Sequence, residues 1–359
     1  MRKKKNIAFI CSSLDKMAGG IERQIIRTCD ALLEKKYNVI LITYDNKNAK
    51  SFYQIPQKLI WEKCGNGLTP NEGASLEKRL KQIYLIRRIL KKYSITHLVT
   101  FHHGLFPRSL LAALFLNIKQ VVSERNSLNQ YDFIKLRKNN LGFISMYFTD
   151  VITVQIDKYK KEYPKLMRSK IITIPNIIKK PLKNNILPNL ESNVISMLGR
   201  LSYQKNFDMV LKQTYEHNKK EFEIRIAGDG PLMNTFKKKY DNKIKIGNIK
   251  LYGNVSDVDK FLMDSALFCF PSLWEGYPNA LVEALRIGLP IITTPRMAKL
   301  NEFIENNVNG LIVEDEKLLE TSIDLLNNKK RLKYMSLMSK NKFIKLSSND
   351  PIKVWQKLF

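Results

Sequence analysis

Ile7-Ala8-Phe9-Ile10-Cys11-Ser12-Ser13-Leu14, then Met17-Ala18-Gly19-Gly20, then Ile21 to Lys35 and Val39 to Tyr44, open the chain as strand, glycine loop, helix and strand. The first run is apolar without alternation. Such a strand is covered on both faces and belongs to a parallel sheet with helices on either side. The start, Met1 to Lys5, reads as a basic cap on that strand. As a secretory signal the apolar run is too short, and it leads into Asp15 and Lys16 without a small-residue cleavage site. Further strands are expected at His97–Thr100, Gln120–Ser123, Val151–Val154 and Lys170–Ile174, with a basic helix over about Leu76–Tyr93. Pro175-Asn176 closes the last strand, and Lys179–Glu191, with Pro181, Pro188 and several Asn, reads as a linker.

The pattern then restarts. Strands are expected at Val194–Leu198, Phe222–Ala227, Ile249–Tyr252, Ala266–Phe270 and Leu289–Thr294, with helices over Phe207–His217 and about Asn279–Ile287. The expected fold class is α/β, two Rossmann-like, doubly wound parallel-sheet domains facing a central cleft, at residues 1–180 and 190–342. A last helix at about 343–359 is expected to pack back on the first domain. In open sheets of this kind ligands bind beyond the carboxyl ends of the strands.

The chain has 359 residues, 44% hydrophobic and 10% aromatic, enough for two cores and inconsistent with global disorder. Its 61 Lys and Arg against 33 Asp and Glu give +28, an excess that attracts phosphates on nucleic acid, anionic lipid or a nucleotide. Solvated surface lysines also explain much of it. Cys11, Cys29, Cys64 and Cys269 show no metal-ligand spacing, which suits a reduced cytosolic protein without structural zinc. The most apolar helical stretch, Leu110–Ile118, is too short to span a bilayer, so membrane contact is expected to be peripheral.

Three motifs in the second half carry chemistry. Leu273-Trp274-Glu275-Gly276-Tyr277-Pro278-Asn279-Ala280-Leu281-Val282-Glu283-Ala284-Leu285 sets one carboxylate in a Gly/Pro loop and another about a turn into a helix. The loop and helix start can offer N–H groups to a diphosphate while the carboxylates accept from neutral hydroxyls. Gly199-Arg200-Leu201-Ser202-Tyr203-Gln204-Lys205 places two cations at a strand end, where a leaving diphosphate builds charge. Ile226-Ala227-Gly228-Asp229-Gly230-Pro231 is a strand and tight turn whose glycines permit close backbone approach. Each is weak alone: two surface glutamates, two lysine-rich-chain cations and a simple turn are the bland alternatives.

Together and in this order the motifs resemble the family 4, or group 1, glycosyltransferases of polysaccharide, lipopolysaccharide and capsule biosynthesis, which have the GT-B fold. The resemblance implies that Glu275 contacts the donor hexose, Glu283 the ribose, and Arg200 with Lys205 the pyrophosphate. It places Gly199, Gly228, Gly230, Val255, Gly276, Tyr277, Pro278, Asn279 and Ala280 around the donor. Gly19-Gly20-Ile21-Glu22-Arg23 resembles the Gly-Gly-x-Glu-Arg of capsule-type members, so Gly19 and Gly20 are expected to bring N–H groups to the donor phosphate. Many relatives carry a histidine in the middle of the first domain, whereas Val122-Ser123-Glu124-Arg125-Asn126 puts Arg125 there. His102 and His103 are the nearby alternatives for that acceptor-side role.

The implied reaction is retaining transfer of a hexose or N-acetylhexosamine from a nucleotide sugar, UDP-sugar favoured, to a lipid-linked saccharide. The departing phosphate takes the acceptor proton, and neither a protein nucleophile, a cofactor nor a metal is expected. The expected location is cytoplasmic, peripheral at the inner face of the membrane. There the exposed cations Lys78, Arg79, Lys81, Arg88, Lys91 and Lys92 meet anionic lipid, while Leu76, Leu80, Ile83, Ile86 or Arg87, and Leu90 pack inward. A sugar-nucleotide epimerase of the same architecture and a basic nucleic-acid-binding protein are the competing readings. The latter is disfavoured because no aromatic platform or known binding module accompanies the charge.

Overall fold

The computed structural model describes residues 5–17, 19–65, 75–128, 140–182, 186–216 and 221–359. Met1 to Lys4 of the basic cap, Ala18 of the glycine loop, His217 of the expected helix and 183–185 of the linker lie outside these residues. The chain divides into two compact units, Met1–Ile177 with Asp350–Phe359, and Ile178–Asn349.

The first unit holds a seven-stranded sheet in the order β3-β2-β1-β4-β5-β6-β7, every pair parallel. Its strands are β1 (Asn6–Cys11), β2 (Asn38–Thr43), β3 (Ile60–Lys63), β4 (His97–Phe101), β5 (Lys119–Ser123), β6 (Val151–Val154) and β7 (Ile171–Thr173). The crossovers contain α1 (Gly20–Glu34), α2 (Leu76–Lys92), α3 (Phe106–Ala113), α4 (Leu141–Ser145) and α5 (Lys165–Arg168). In β1, Ile7, Phe9 and Cys11 enter one core while Ala8 and Ile10 enter the other, which accounts for the unbroken apolar run.

The second unit holds a six-stranded sheet in the order β10-β9-β8-β11-β12-β13, again all parallel. Its strands are β8 (Val194–Leu198), β9 (Glu223–Ala227), β10 (Ile249–Gly253), β11 (Leu267–Phe270), β12 (Ile291–Thr293) and β13 (Gly310–Ile312). Its helices are α6 (Phe207–Gln213), α7 (Met233–Lys239), α8 (Asp241–Lys245), α9 (Val258–Met263), α10 (Asn279–Ile287), α11 (Leu318–Asn327) and α12 (Lys329–Ser347). In both sheets the strand order reverses beside the first strand, between β1 and β4 and between β8 and β11. Loops leaving the carboxyl ends of these four strands therefore flank a switch point, where open α/β sheets bind ligands.

Two expectations need correction. The apolar stretch placed at Leu110–Ile118 is helical only as Phe106–Ala113, starting earlier with Pro107 in its first turn. The last helix, expected at about 343–359, is two helices: α12 ends at Ser347 inside the second unit, where Phe343 is buried, and α13 (Pro351–Leu358) belongs to the first. Pro351 cannot continue a helix but starts one well, and the Asp350 side chain caps it by accepting from Ile352 N at 3.0 Å. Trp355 then packs on Phe9 and Phe359, with ring centroids 5.9 and 5.7 Å apart. Trp355→Ala should destabilise the first unit by about 3–5 kcal/mol, measured by urea unfolding. A loss under about 1 kcal/mol would mean that the returning helix adds nothing to this core.

Candidate active site

In the second unit the site is built by the loops after β8 and β11. The chain leaves β8 through Gly199 at φ +148, a conformation that side-chain-bearing residues rarely adopt. Gly228, at φ +131, lies so near that an added Cβ would sit 2.1 Å from the Gly199 carbonyl oxygen, and one at Gly230 would sit 2.5 Å from that of Leu201. Gly199 N donates to Ala227 O at 2.9 Å and Leu201 N to Asp229 O at 3.0 Å. The glycines expected to admit a ligand thus bring two backbone loops together. Gly228 N also donates to Gly253 O at 2.7 Å, tying in the β10 end that leads to half-buried Val255.

The same loop holds the one after β11. Leu273 N donates to Gln204 O at 2.8 Å, Gln204 Nε2 donates to Trp274 O at 2.9 Å, and Tyr203 lies against Trp274. Lys205 Nζ donates to Glu275 Oε1 at 2.6 Å, with 15% and 7% of the two side chains exposed. A pair this dry is screened little, and removing one partner strands the other charge. Lys205 and Glu275, expected to serve different parts of a donor, are therefore joined to each other. Arg200 is exposed, and no carboxylate of the described residues is paired with it.

Gly276, Tyr277, Pro278 and Ala280 are buried where the loop turns into α10, and Asn279 and Glu283 are half-buried. The Tyr277 ring meets Phe303 edge-on at 5.4 Å. Burial, then the Glu302 charge, pushes its hydroxyl pKa up.

In the first unit, β4 and β5 deliver a polar cluster. His102 holds φ +79, uncommon for a residue with a side chain, and its ring stacks on His103 at 4.6 Å. His103 Nδ1 lies 3.8 Å from Oε2 of Glu124, which is wholly buried and whose Oε1 accepts from Arg125 N at 2.9 Å and Asn126 N at 3.2 Å. The Arg125 guanidinium donates to Ser123 Oγ at 3.3 Å and to Asn176 Oδ1, and lies 4.7 Å from the Phe101 ring centre. Burial pushes the Glu124 carboxyl up to about 7 and the Arg125 guanidinium down to about 9, each offset in part by the other's charge. Burial, with the His102 ring behind it, lowers His103 to about 4.

Arg125 and the histidine pair, weighed as alternatives in the sequence, thus share one cluster, and Glu124 is the member that the sequence reading passed over. Its signal was a carboxylate directly after an apolar strand. Elsewhere in this unit, Gly19 caps α1 and the space beside it is filled by the Glu22 side chain, while Gly20 is exposed. Among the described residues no group of three or more His, Cys, Asp and Glu is arranged to hold a metal.

On α2 all six expected cations are exposed, but Lys92 is paired with Glu62 at 2.8 Å. The inward stripe differs from the expected one. Gln82, Ile86 and Leu90 are buried, whereas Leu76 and Leu80 face solvent. The packing surface begins at Gln82, where Arg108 of α3 donates to its Oε1 at 2.6 Å, and the first turns of α2 lie beyond it.

The sequence model of the glycosyl transferases group 1 family matches residues 179–342. The chain is a glycosyltransferase with a group 1 domain. It is 26% identical over 352 residues to an uncharacterized glycosyltransferase of Haemophilus influenzae, covering 95% of each chain. It is 29% identical over 296 residues to the UDP-Gal:alpha-D-GlcNAc-diphosphoundecaprenol alpha-1,3-galactosyltransferase of Escherichia coli, covering 74% of each. A structure of a Staphylococcus aureus TarM variant in complex with Fondaparinux, alpha-GlcNAc-glycerol and UDP superposes with a TM-score of 0.79 at 13% identity, covering 99% of each chain. That likeness shows the GT-B fold of this glycosyltransferase.

The buried carboxyl of Glu124 makes a pH prediction. Its native pKa, about 7, lies above its ordinary 4.5, so the native state binds more protons across that window. Its contribution to stability is full below about pH 4.5 and is lost as pH rises through about 7. Relative to the native chain, Glu124→Gln should gain roughly 3 kcal/mol between about pH 4 and pH 8, read by urea unfolding at a series of pH values. The buried histidines titrate in both proteins and largely cancel in the difference. A flat difference across the window would contradict a carboxyl that is buried and protonated.

Proposed function

We propose that this glycosyltransferase moves a hexose or N-acetylhexosamine, with retention, from a nucleotide sugar to a lipid-linked saccharide in bacterial surface polysaccharide assembly. The observation that carries the reading is the dry Lys205–Glu275 pair, formed by the loops after β8 and β11 beside exposed Arg200 in the group 1 domain. A UDP-sugar donor is favoured because the Escherichia coli relative is named for UDP-Gal and the TarM structure contains UDP. The acceptor class follows from the diphosphoundecaprenol-linked sugar in that same relative's name.

In this reading Arg200 binds the donor diphosphate first, being the cation with no carboxylate partner. Lys205 then turns from Glu275 to the phosphate, and Glu275 is released to accept from a sugar hydroxyl. The Lys205 ammonium then stays compensated by the diphosphate, and the Glu275 carboxylate exchanges its ion pair for a charge-assisted hydrogen bond from the sugar. Glu283 accepts from the ribose, and Gly228, Gly230 and Val255 border the base. Negative charge grows on the diphosphate as the glycosidic bond breaks, so cations fixed beforehand stabilise the transition state more than the ground state. The departing phosphate takes the acceptor proton.

In the first unit, the α1 start at Gly19 and Gly20 offers N–H groups to an anion, and the cluster of Arg125, Glu124 and the histidine pair serves the acceptor. Lys78, Arg79, Lys81, Arg88 and Lys91 attract the anionic inner face of the cell membrane. No metal takes part in the proposed reaction.

Arg200→Ala should slow turnover by about 2–4 kcal/mol in activation free energy, measured as nucleoside diphosphate released in the presence of a lipid-linked acceptor. A folded Arg200→Ala protein turning over at the native rate would remove Arg200 from the clamp. The same assay in excess EDTA should run at an unchanged rate, and a loss restored by added divalent cation would refute metal-independence.

A further inference from the structure

Several exposed apolar side chains of the first unit gather at one edge. α2 lies between β3 and β4 of a parallel sheet and so runs against the strands. Asn6, at the amino end of β1, donates to Tyr93 O just beyond the last turn of α2 at 2.7 Å, which leaves Leu76 at the carboxyl edge. α3 runs the same way from the turn at His103–Leu105, with Arg87 of α2 donating to Ala112 O and Leu114 O near its far end. α4 packs on α3 and on that turn, so closely that a Cβ on Gly142 would lie 2.7 Å from His103 O. Around this edge Leu76 (74%), Leu80 (58%), Tyr84 (60%), Leu141 (70%) and Ile144 (38%) are exposed. Lys78, Arg79, Lys81 and Arg88 stand among them, and Glu77 is the one acid on α2.

One exposed leucine is ordinary, but Leu76, Leu80 and Tyr84 recur every four residues among cations, the composition of a helix that lies in a membrane interface. Nucleic acid would engage the cations and leave the leucines in water. A second copy joined by a two-fold axis would bring like patches together and set cation against cation. An anionic bilayer satisfies both sets of side chains. We propose that this edge seats in the interface of an anionic bilayer, with Leu76, Leu80, Leu141 and Ile144 below the headgroups and Lys78, Arg79, Lys81 and Arg88 at phosphate level. The inference deepens the proposed function and rests on its lipid-linked acceptor, because the seated edge is the one that carries His103. It adds insertion to what was a purely electrostatic attraction.

The four native cysteines are buried, so a fluorophore can be placed selectively on Leu80→Cys. With phosphatidylglycerol/phosphatidylcholine vesicles the label should shift to the blue and be quenched by spin-labelled lipid. A label on Phe115→Cys, still more open to solvent and beyond the far end of α3, should do neither. The Leu76→Gln/Leu80→Gln double variant should bind these vesicles about tenfold or more weakly, and what binding remains should vanish at high salt. Its nucleoside diphosphate release with a detergent-solubilised acceptor should stay within about twofold of the native chain. Vesicle binding unchanged in the double variant, or a shift at position 115 without one at 80, overturns the proposal. So does a blue shift that needs no vesicles and rises with protein concentration, which would assign the patch to a second copy. If the native chain releases no nucleoside diphosphate from any nucleotide sugar, the proposed function fails while the vesicle results still decide the insertion.

Discussion

Parallel strands cannot be joined by a hairpin, so each crossover must return the chain to the strands' starting end. This constraint organises both units. Every loop that leaves a strand towards a helix emerges at the carboxyl edge, and wherever the strand order reverses two such loops diverge and leave room between them. Gly199 to Asn206 and Pro271 to Pro278 are these loops in the second unit, and those carrying Gly19 and His102 are their counterparts in the first. The chemistry-bearing residues are consequences of that placement, Lys205 and Glu275 being collected from positions 70 apart in the sequence.

The two units handle charge differently. In the second, Lys205 and Glu275 neutralise each other at 2.6 Å while Arg200 remains in solvent, leaving a net cation beside a compensated pair. In the first, Glu124 and Arg125 are both buried, and their pKa values are drawn towards neutrality. Backbone N–H groups and a modest Coulombic attraction stabilise the ionised Glu124, but desolvation outweighs them. Such a cluster can take up or give a proton near neutral pH, whereas the Lys205–Glu275 pair holds two opposite charges against each other.

Long central elements were legible in the sequence because both cores enforce them. Ile7 to Cys11 is wholly apolar, and Val194 to Leu198 is interrupted only by the small Ser196, so both read as buried strands. Short edge strands were not: Ile60–Lys63 and Gly310–Ile312 are only four and three residues long and owe their conformation to the neighbour they pair with. The donor-side motifs stood out because residue type and spacing coincide there. Gly228 and Gly230 were read as positions where a ligand could come close, but that the backbone of Gly199 and Leu201 lies against them is a tertiary fact. Glu124 was missed because one carboxylate says nothing of its burial. Periodicity gave α2 its helix and the inward packing of Ile83, Ile86 and Leu90 but not where the covered stripe begins, since Leu76, Leu80 and Gln82 are told apart only by where α3 begins to cover them.

That last difference bears on the +28 charge. At physiological salt the Debye length is about 8 Å, so repulsion between surface cations acts mostly within local runs. Lys78-Arg79 with Lys81 is such a run, and Glu77 is the one acid on its helix. The Lys92–Glu62 pair, whose lysine lies in solvent, is weakened by water and salt and does not offset it. The first turns of α2 are thus unfavourable in water on two counts, crowded cations and uncovered leucines. Neither would matter to stability if the turns were trimmed or made polar, and neither helps the core. A surface that is negative at its face and apolar beneath removes both penalties together, so the features that cost the free protein are the ones that would favour its seated state.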